Sequence, residues 1–199
     1  MKNLNFEYES ADTNDVSFKT LRTIKNLGLK VIKVPLRMEG LSSEGDLDKC
    51  HQNVNKMVIK YGGEILVGQY LLETDGRIVL ANHSVWITPE RKVACISKIN
   101  CVVDGGGYDE CFKKFLEQGY ILFVPRRVTK GFRGYETLPA SIYIQGNRIA
   151  SNTGADRYSL DKIEEQPLKN AHKVIHQVMN IGVMNIDTGT FLRDYKWVA

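Results

Sequence analysis

Apolar positions along the chain change period several times, and these changes predict the order of elements. Phe18, Leu21, Ile24 and Leu27 recur at helical spacing, with Gly28 where a helix end is expected. Leu29 to Arg37 alternates as a strand does. The polar stretch Leu41 to Lys49 supplies turn and capping residues, with Asp46 or Asp48 as the N-cap of a helix running to about Tyr61. Cys50, Val54, Met57, Val58 and Tyr61 share one face of that helix, and Gly62-Gly63 ends it. An antiparallel meander follows: Ile65 to Leu72, a turn at Thr74-Asp75-Gly76, Ile78 to Ile87, a turn at Thr88-Pro89-Glu90, and Lys92 to Ile99. Asp109 to Gln118 reads as a short helix closed by Gly119, and Tyr120 to Pro125 as a further strand. Ala140 to Ile144 is β-like. A last helix is predicted from Pro167 to about Asn180, with Leu168, Ala171, Val174, Ile175 and Val178 as its buried stripe.

Helices and antiparallel strands in this order predict an α+β fold. The chain has 199 residues, 43% hydrophobic and 25% charged, enough for one sizeable core, and carries no internal repeat or low-complexity tract. A single domain over 1–199 is expected: a polar lead-in at 1–15, a core at 16–126 and a C-terminal elaboration at 127–199. The net charge of +4 allows an anionic partner but falls short of the basic stripe of a nucleic-acid binder, so no nucleic acid is expected. No apolar run approaches the roughly 18 residues that span a bilayer, and the first residues lack a signal peptide's apolar region. A cytoplasmic protein without membrane contact is the expectation. Cys50, Cys95, Cys101 and Cys111 show no CxxC pairing and read as thiols rather than disulfide partners.

The candidate chemistry centres on Cys50, in the first turn of a helix, and His83, on a strand of the following sheet. Unpaired N–H groups and the positive end of the helix dipole favour a thiolate there. An imidazole on a neighbouring strand can accept the thiol proton and return it to a leaving group, while the same N–H groups form an oxyanion hole. The same residues fit a plainer reading. Cys50 lies on the apolar stripe with Val54 and Tyr61, a buried thiol is common, and His83 can be a core histidine beside Trp86.

Cys50-His51-x-Asn53-Val54, Tyr61-Gly62-Gly63, Gly68, His83-x-Val85-Trp86-x-x-Pro89 and Ile121-Leu122-Phe123-Val124-Pro125 occur in an order that resembles a set of uncharacterised bacterial and phage proteins. That set is similar to the transglutaminase-like branch of the papain-like cysteine superfamily. The resemblance covers about residues 46 to 126. It implies a papain-like core, with a Cys-bearing helix packed on an antiparallel sheet carrying His, and a Cys, His and Asp triad. Two positions depart from the pattern. The acidic third member falls at Cys95, and Gly68-Gln69-Tyr70 places its aromatic one residue late. Asn100 is the candidate substitute orienter, since amides serve this purpose in papain-like enzymes.

The expected function is therefore a cysteine-dependent acyltransferase or hydrolase of amide or ester bonds, with a thioester on Cys50 and His83 as base. Its substrate would be a protein, a peptide or a small acyl compound. Trp86, Gln52, Asn53, Arg126, Arg127 and Arg133 are the candidate substrate contacts, with Trp86 walling the site. The basic residues, interleaved with Phe132 and Tyr135, read either as a solvated loop or as an anion-recognition loop. The alternative is a catalytically lapsed, phage-encoded binding protein on the same fold, capturing a host protein or an anionic small molecule. No cofactor and no metal are expected. His172 and His176 have i, i+4 spacing but no third ligand, and Gly105-Gly106-Gly107 lacks the Lys-Ser/Thr of a phosphate loop.

Overall fold

The computed structural model describes residues 5–37, 50–74, 76–97, 115–129, 135–137, 141–152, 166–167, 169, 183–185 and 191–192. In chain order the elements are β1 (Glu9–Ser10), α1 (Phe18–Asn26), β2 (Ile32–Pro35), α2 (Cys50–Tyr61), β3 (Glu64–Thr74), β4 (Arg77–Ile87) and β5 (Val93–Ala94). They are followed by β6 (Tyr120–Thr129), β7 (Tyr135–Thr137), β8 (Ser141–Gln145), β9 (Arg148–Asn152), β10 (Gln166–Pro167), β11 (Val183–Asn185) and β12 (Phe191–Leu192). The architecture is α+β. A nine-stranded sheet runs β1-β2-β6-β3-β4-β8-β9-β10, with β5 added to β4, and a three-stranded sheet runs β12-β11-β7. Every strand pair in both is antiparallel.

The long β3–β4 hairpin is the spine. Its register pairs Glu64 with Ile87 at one end and Thr74 with Arg77 at the other, which sets Gly68 opposite His83 and Gln69 opposite Asn82. Because side chains alternate along a strand, the hairpin has two distinct faces. One carries Leu66, Tyr70, Leu72, Val79, Ala81, Val85 and Ile87, which join Ile121 and Phe123 of β6 and Val93 and Cys95 in a single core. The other carries Leu71, Ile78 and Leu80, which pack with Leu122, Val124 and Ile142 around Ile24 of α1. Nearer the open end of the hairpin, on this second face, Val54 of α2 packs with Ile65, Ala94 and Ile96.

Each helix is fastened to the sheet by polar groups as well as by its apolar stripe. Ser17 caps α1 by accepting from the Thr20 N–H. Glu73 of β3 in turn accepts from the Ser17 N–H at 2.8 Å and from the Thr20 hydroxyl at 2.6 Å. At the far end of α2, the Trp86 indole N–H donates to the Gly62 carbonyl at 3.0 Å. Gly63 has φ 89°, and a Cβ there would lie 2.2 Å from the Ile87 carbonyl oxygen, so only glycine lets the helix turn directly into β3.

Four expectations change. Arg126 and Arg127 lie within β6, which runs on to Thr129, and not in a loop after it; β6 keeps pairing with β3 past a register shift at Val67/Gly68. Pro125 is tolerated there because it adjoins that irregularity and lies beyond the last β2 pairing, Ile32 with Phe123. β5 ends at Ala94, because Cys95 leaves β4 to make a parallel bridge with Leu36. Pro167 belongs to β10, opposite Arg148, in place of the expected helix start; of the remainder of that helix only Lys169 is among the described residues. The β8–β9 hairpin went unforeseen beyond its first strand, although Gln145-Gly146-Asn147-Arg148 between alternating segments is a turn signal, and Gly146 has φ 56°.

Candidate functional site

The site is built on β4. His83 and Ser84 are neighbours on one strand, so their side chains leave opposite faces of the sheet, and each meets a different partner. Ser84 faces α2 and hydrogen-bonds Nδ1 of His51. His83 faces the other way, 2% exposed, with Nε2 at 3.2 Å from Sγ of Cys95. Tyr70 and Phe123 stand edge-on to its ring at centroid distances of 5.9 and 6.4 Å.

Gly68 explains how so large a ring as Phe123 fits under the imidazole. A Cβ at position 68 would lie 2.5 Å from Phe123 Cζ and 2.3 Å from the Val124 carbonyl oxygen. Glycine at this place is needed for close approach, and the positive φ of a turn plays no part. Tyr70, two residues on, points to the same face and completes the aromatic walls.

A chain of hydrogen bonds links His83 to the Cys50 helix. Cys95 Sγ lies 3.5 Å from the Ser97 carbonyl oxygen, to which the thiol donates, and the Asn53 amide of α2 donates to the Ser97 hydroxyl at 3.3 Å. Cys50 itself is 8% exposed on the same helix, and its electrostatic influence reaches Cys95. Neither Cys50 nor Cys95 is in a disulfide.

Burial dominates the electrostatics. It pushes the Cys95 thiol up to about 12, with the Ser97 backbone acting weakly against it. It drives His83 down to about 3, helped by the positive charge His51 would carry, and His51 down to about 4. At neutral pH both imidazoles and the Cys95 thiol are therefore uncharged. The His83–Cys95 contact is a neutral hydrogen bond, in contrast to a thiolate–imidazolium pair.

The remaining candidates fall in several places. Gln52 is half-buried on α2. Asn53 is buried and spends an amide proton on Ser97. Trp86 packs on Tyr61 at 6.2 Å and pins Gly62; at about 1.5 Å of rise per residue that is about 18 Å along α2 from Cys50, so Trp86 braces the helix end and does not wall the cysteine. Arg126 donates from Nη2 to Gln69 Oε1 at 2.8 Å. Gln69 shares a face with Asn82, so the guanidinium lies across the sheet from the His83 imidazole and does not border it. Arg127 pairs with Val67 through the backbone. Asn100, Arg133, Cys101, Cys111 and the His172, His176 pair lie outside the described residues.

Sequence reasoning missed Tyr70, Phe123 and the His51–Ser84 pair as neighbours of His83. Strand parity was the available signal, since Tyr70, two residues beyond Gly68, shares the face of His83, and Phe123 is the cross-strand partner of Tyr70. Among the described residues no His, Cys, Asp and Glu group is arranged to hold a metal ion, and no helix is long and apolar enough to cross a membrane. No family model, no curated protein and no solved structure matches this chain.

Proposed function

We propose that the protein is a cysteine-dependent acyltransferase or hydrolase on a papain-like, transglutaminase-like core, with Cys50 as nucleophile and His83 as general base. The Cys50 sulfur attacks the carbonyl carbon of an amide or ester as its proton passes to the imidazole. The carbon–nitrogen or carbon–oxygen bond then breaks, the leaving group takes that proton, and a thioester stays on Cys50 until water or an acceptor resolves it. The observation that carries this reading is the hydrogen-bonded chain from α2 through Asn53, Ser97 and Cys95 to His83, which passes from the face of the sheet that α2 covers, where Ser84 points, to the opposite face, where His83 points. Position 95, where the resemblance puts a third member, touches the histidine. A buried, weakly basic imidazole without a carboxylate makes the proposed enzyme slow.

The test is acylation by p-nitrophenyl acetate, followed by intact-mass and peptide mass spectrometry. Acetyl transfer to Cys50 with matching release of nitrophenolate, lost in Cys50→Ala and His83→Ala, supports the reading. Acetylation confined to lysines, or unchanged in His83→Ala, counts against it.

One observation favours the binding alternative. The Gln69 side chain is fully buried, and its Nε2 donor has no hydrogen-bond partner among the described residues. Beside it stands Arg126, whose guanidinium burial holds down to about 10. Donors desolvated in this way suit a carboxylate or phosphate group of a captured molecule. A rise in melting temperature with inorganic phosphate or acetate, absent in Gln69→Leu, supports this second reading; equal responses in both proteins remove it.

A further inference from the structure

We propose that Cys95 is a positioning residue for His83: with its own proton committed to the Ser97 carbonyl, the thiol accepts the Nε2 proton and so fixes the imidazole tautomer whose lone pair is on Nδ1. The role rests on the reading of His83 as the base; the tautomer itself does not.

The inference comes from counting protons. A neutral imidazole has one N–H and one lone pair, and a neutral thiol has one S–H and weak acceptor lone pairs. Two arrangements satisfy the 3.2 Å contact between Nε2 and Sγ. In one, the thiol donates to an unprotonated Nε2, which puts the imidazole proton on Nδ1 and leaves no atom to take a proton from Cys50. In the other, Nε2–H donates to sulfur and Nδ1 is the base. The Ser97 carbonyl oxygen, 3.5 Å from Sγ, decides between them, because it can only accept and Sγ has only one proton to give. An ion pair is a third possibility in principle. Burial works against it, pushing the imidazole down and the thiol up.

A thiol in this place does part of what a carboxylate does. It fixes the ring rotation and the tautomer, in a cleft between Tyr70 and Phe123 that leaves the imidazole little freedom. It does not stabilise the imidazolium that forms when Cys50 gives up its proton, because a neutral sulfur offers little to a cation. Cys95→Asp therefore adds the missing charge and raises the imidazole pKa, whereas Cys95→Ala removes the acceptor and releases the tautomer. Cys95→Ser keeps one donor and one acceptor and retains the tautomer.

The experiment uses the full chain labelled with ¹⁵N-histidine, and reads the His83 ring nitrogens by long-range ¹H–¹⁵N correlation at pH 7, with assignment by His83→Gln. The expected result is a proton on Nε2 in wild type and Cys95→Ser, and a mixture of tautomers or the Nδ1–H form in Cys95→Ala. A wild-type ring protonated on Nδ1 overturns the proposal without any variant having to fold, and an unchanged Nε2–H tautomer in Cys95→Ala overturns the part assigned to Cys95. Acetylation of Cys50 is then compared across the same proteins, with a loss of about tenfold or more expected in Cys95→Ala from the wrong tautomer. If the tautomers behave as expected while Cys50 acetylation is indifferent to His83, the proposed function fails and the tautomer assignment stands.

Discussion

Nε2 of His83 lies 3.2 Å from Sγ of Cys95, two fully uncharged groups joined across a corner where the chain leaves β4 to meet β2. Burial sets the protonation of both, and the first consequences concern pH.

On the acid side, His83 and His51 stay neutral in the folded protein down to about 3 and about 4, against 6.5 for an ordinary imidazole. Below pH 6.5 the unfolded chain takes up protons that the folded chain refuses, so stability falls as pH falls. Each histidine contributes a loss of about 1.4 kcal/mol per pH unit well below its unfolded value. The melting temperature should decline steadily from pH 7 to pH 5, with a shallower slope in His51→Asn. A flat profile over this range would mean that the imidazoles are solvated.

On the alkaline side the sign reverses. The Cys95 thiol ionises near 9.0 when unfolded and only at about 12 when folded, so the folded chain holds a proton that the unfolded chain gives up. That contribution is intact below about pH 9 and fades as pH rises through the window to 12. At pH 10 the loss is about 1.4 kcal/mol. Cys95→Ser, with no group to ionise there, should be the more alkali-resistant of the two proteins relative to its own stability at pH 8, as denaturant midpoints at the two pH values would show.

Gly68→Ala tests the packing beneath the histidine. The added methyl group meets Phe123 and the Val124 carbonyl far inside contact distance, and both belong to a central strand that cannot yield without disturbing β3 pairing. A destabilisation of about 1–3 kcal/mol is expected, accompanied by displacement of the His83 ring resonances. An unperturbed His83 spectrum would show that Phe123 does not hold the imidazole in place.

Trp86→Phe separates the helix end from the helix start. Loss of the indole hydrogen bond to Gly62 should cost about 1 kcal/mol, with Cys50 modification proceeding at the wild-type rate. A rate change comparable to that in His83→Ala would place Trp86 at the cysteine after all.

Local patterning made the spine of the fold legible. Helix spacing through Phe18 and Ile24 and through Cys50 and Val54, the glycine pair after Tyr61, and the turn at Gly76 correspond to α1, α2 and the β3–β4 hairpin. What escaped depended on pairing between distant segments. Nothing near Arg126 signals that β6 continues past Pro125, because that extension is templated by β3. Pro167 carried the mark of a helix start, yet a two-residue pairing with β9 overrode it. In the site, alternation from Gly68 and His83 contains the aromatic walls, but it takes the β3–β4 register to see that Tyr70 and His83 share a face. The meeting of His83 with Cys95 depends on the chain leaving the sheet at position 95, and no periodicity records that.

The most direct test of the central claim is the rate of Cys50 alkylation by iodoacetamide, followed by peptide mass spectrometry from pH 5 to 9 in wild type and His83→Ala. Faster modification in the wild type by about tenfold or more near pH 7, converging with the variant at high pH as the thiol ionises unaided, is the expected result. Superimposable profiles would contradict it, leaving Cys50 a core thiol and the buried donors of Gln69 and Arg126 the better guide to what the protein does.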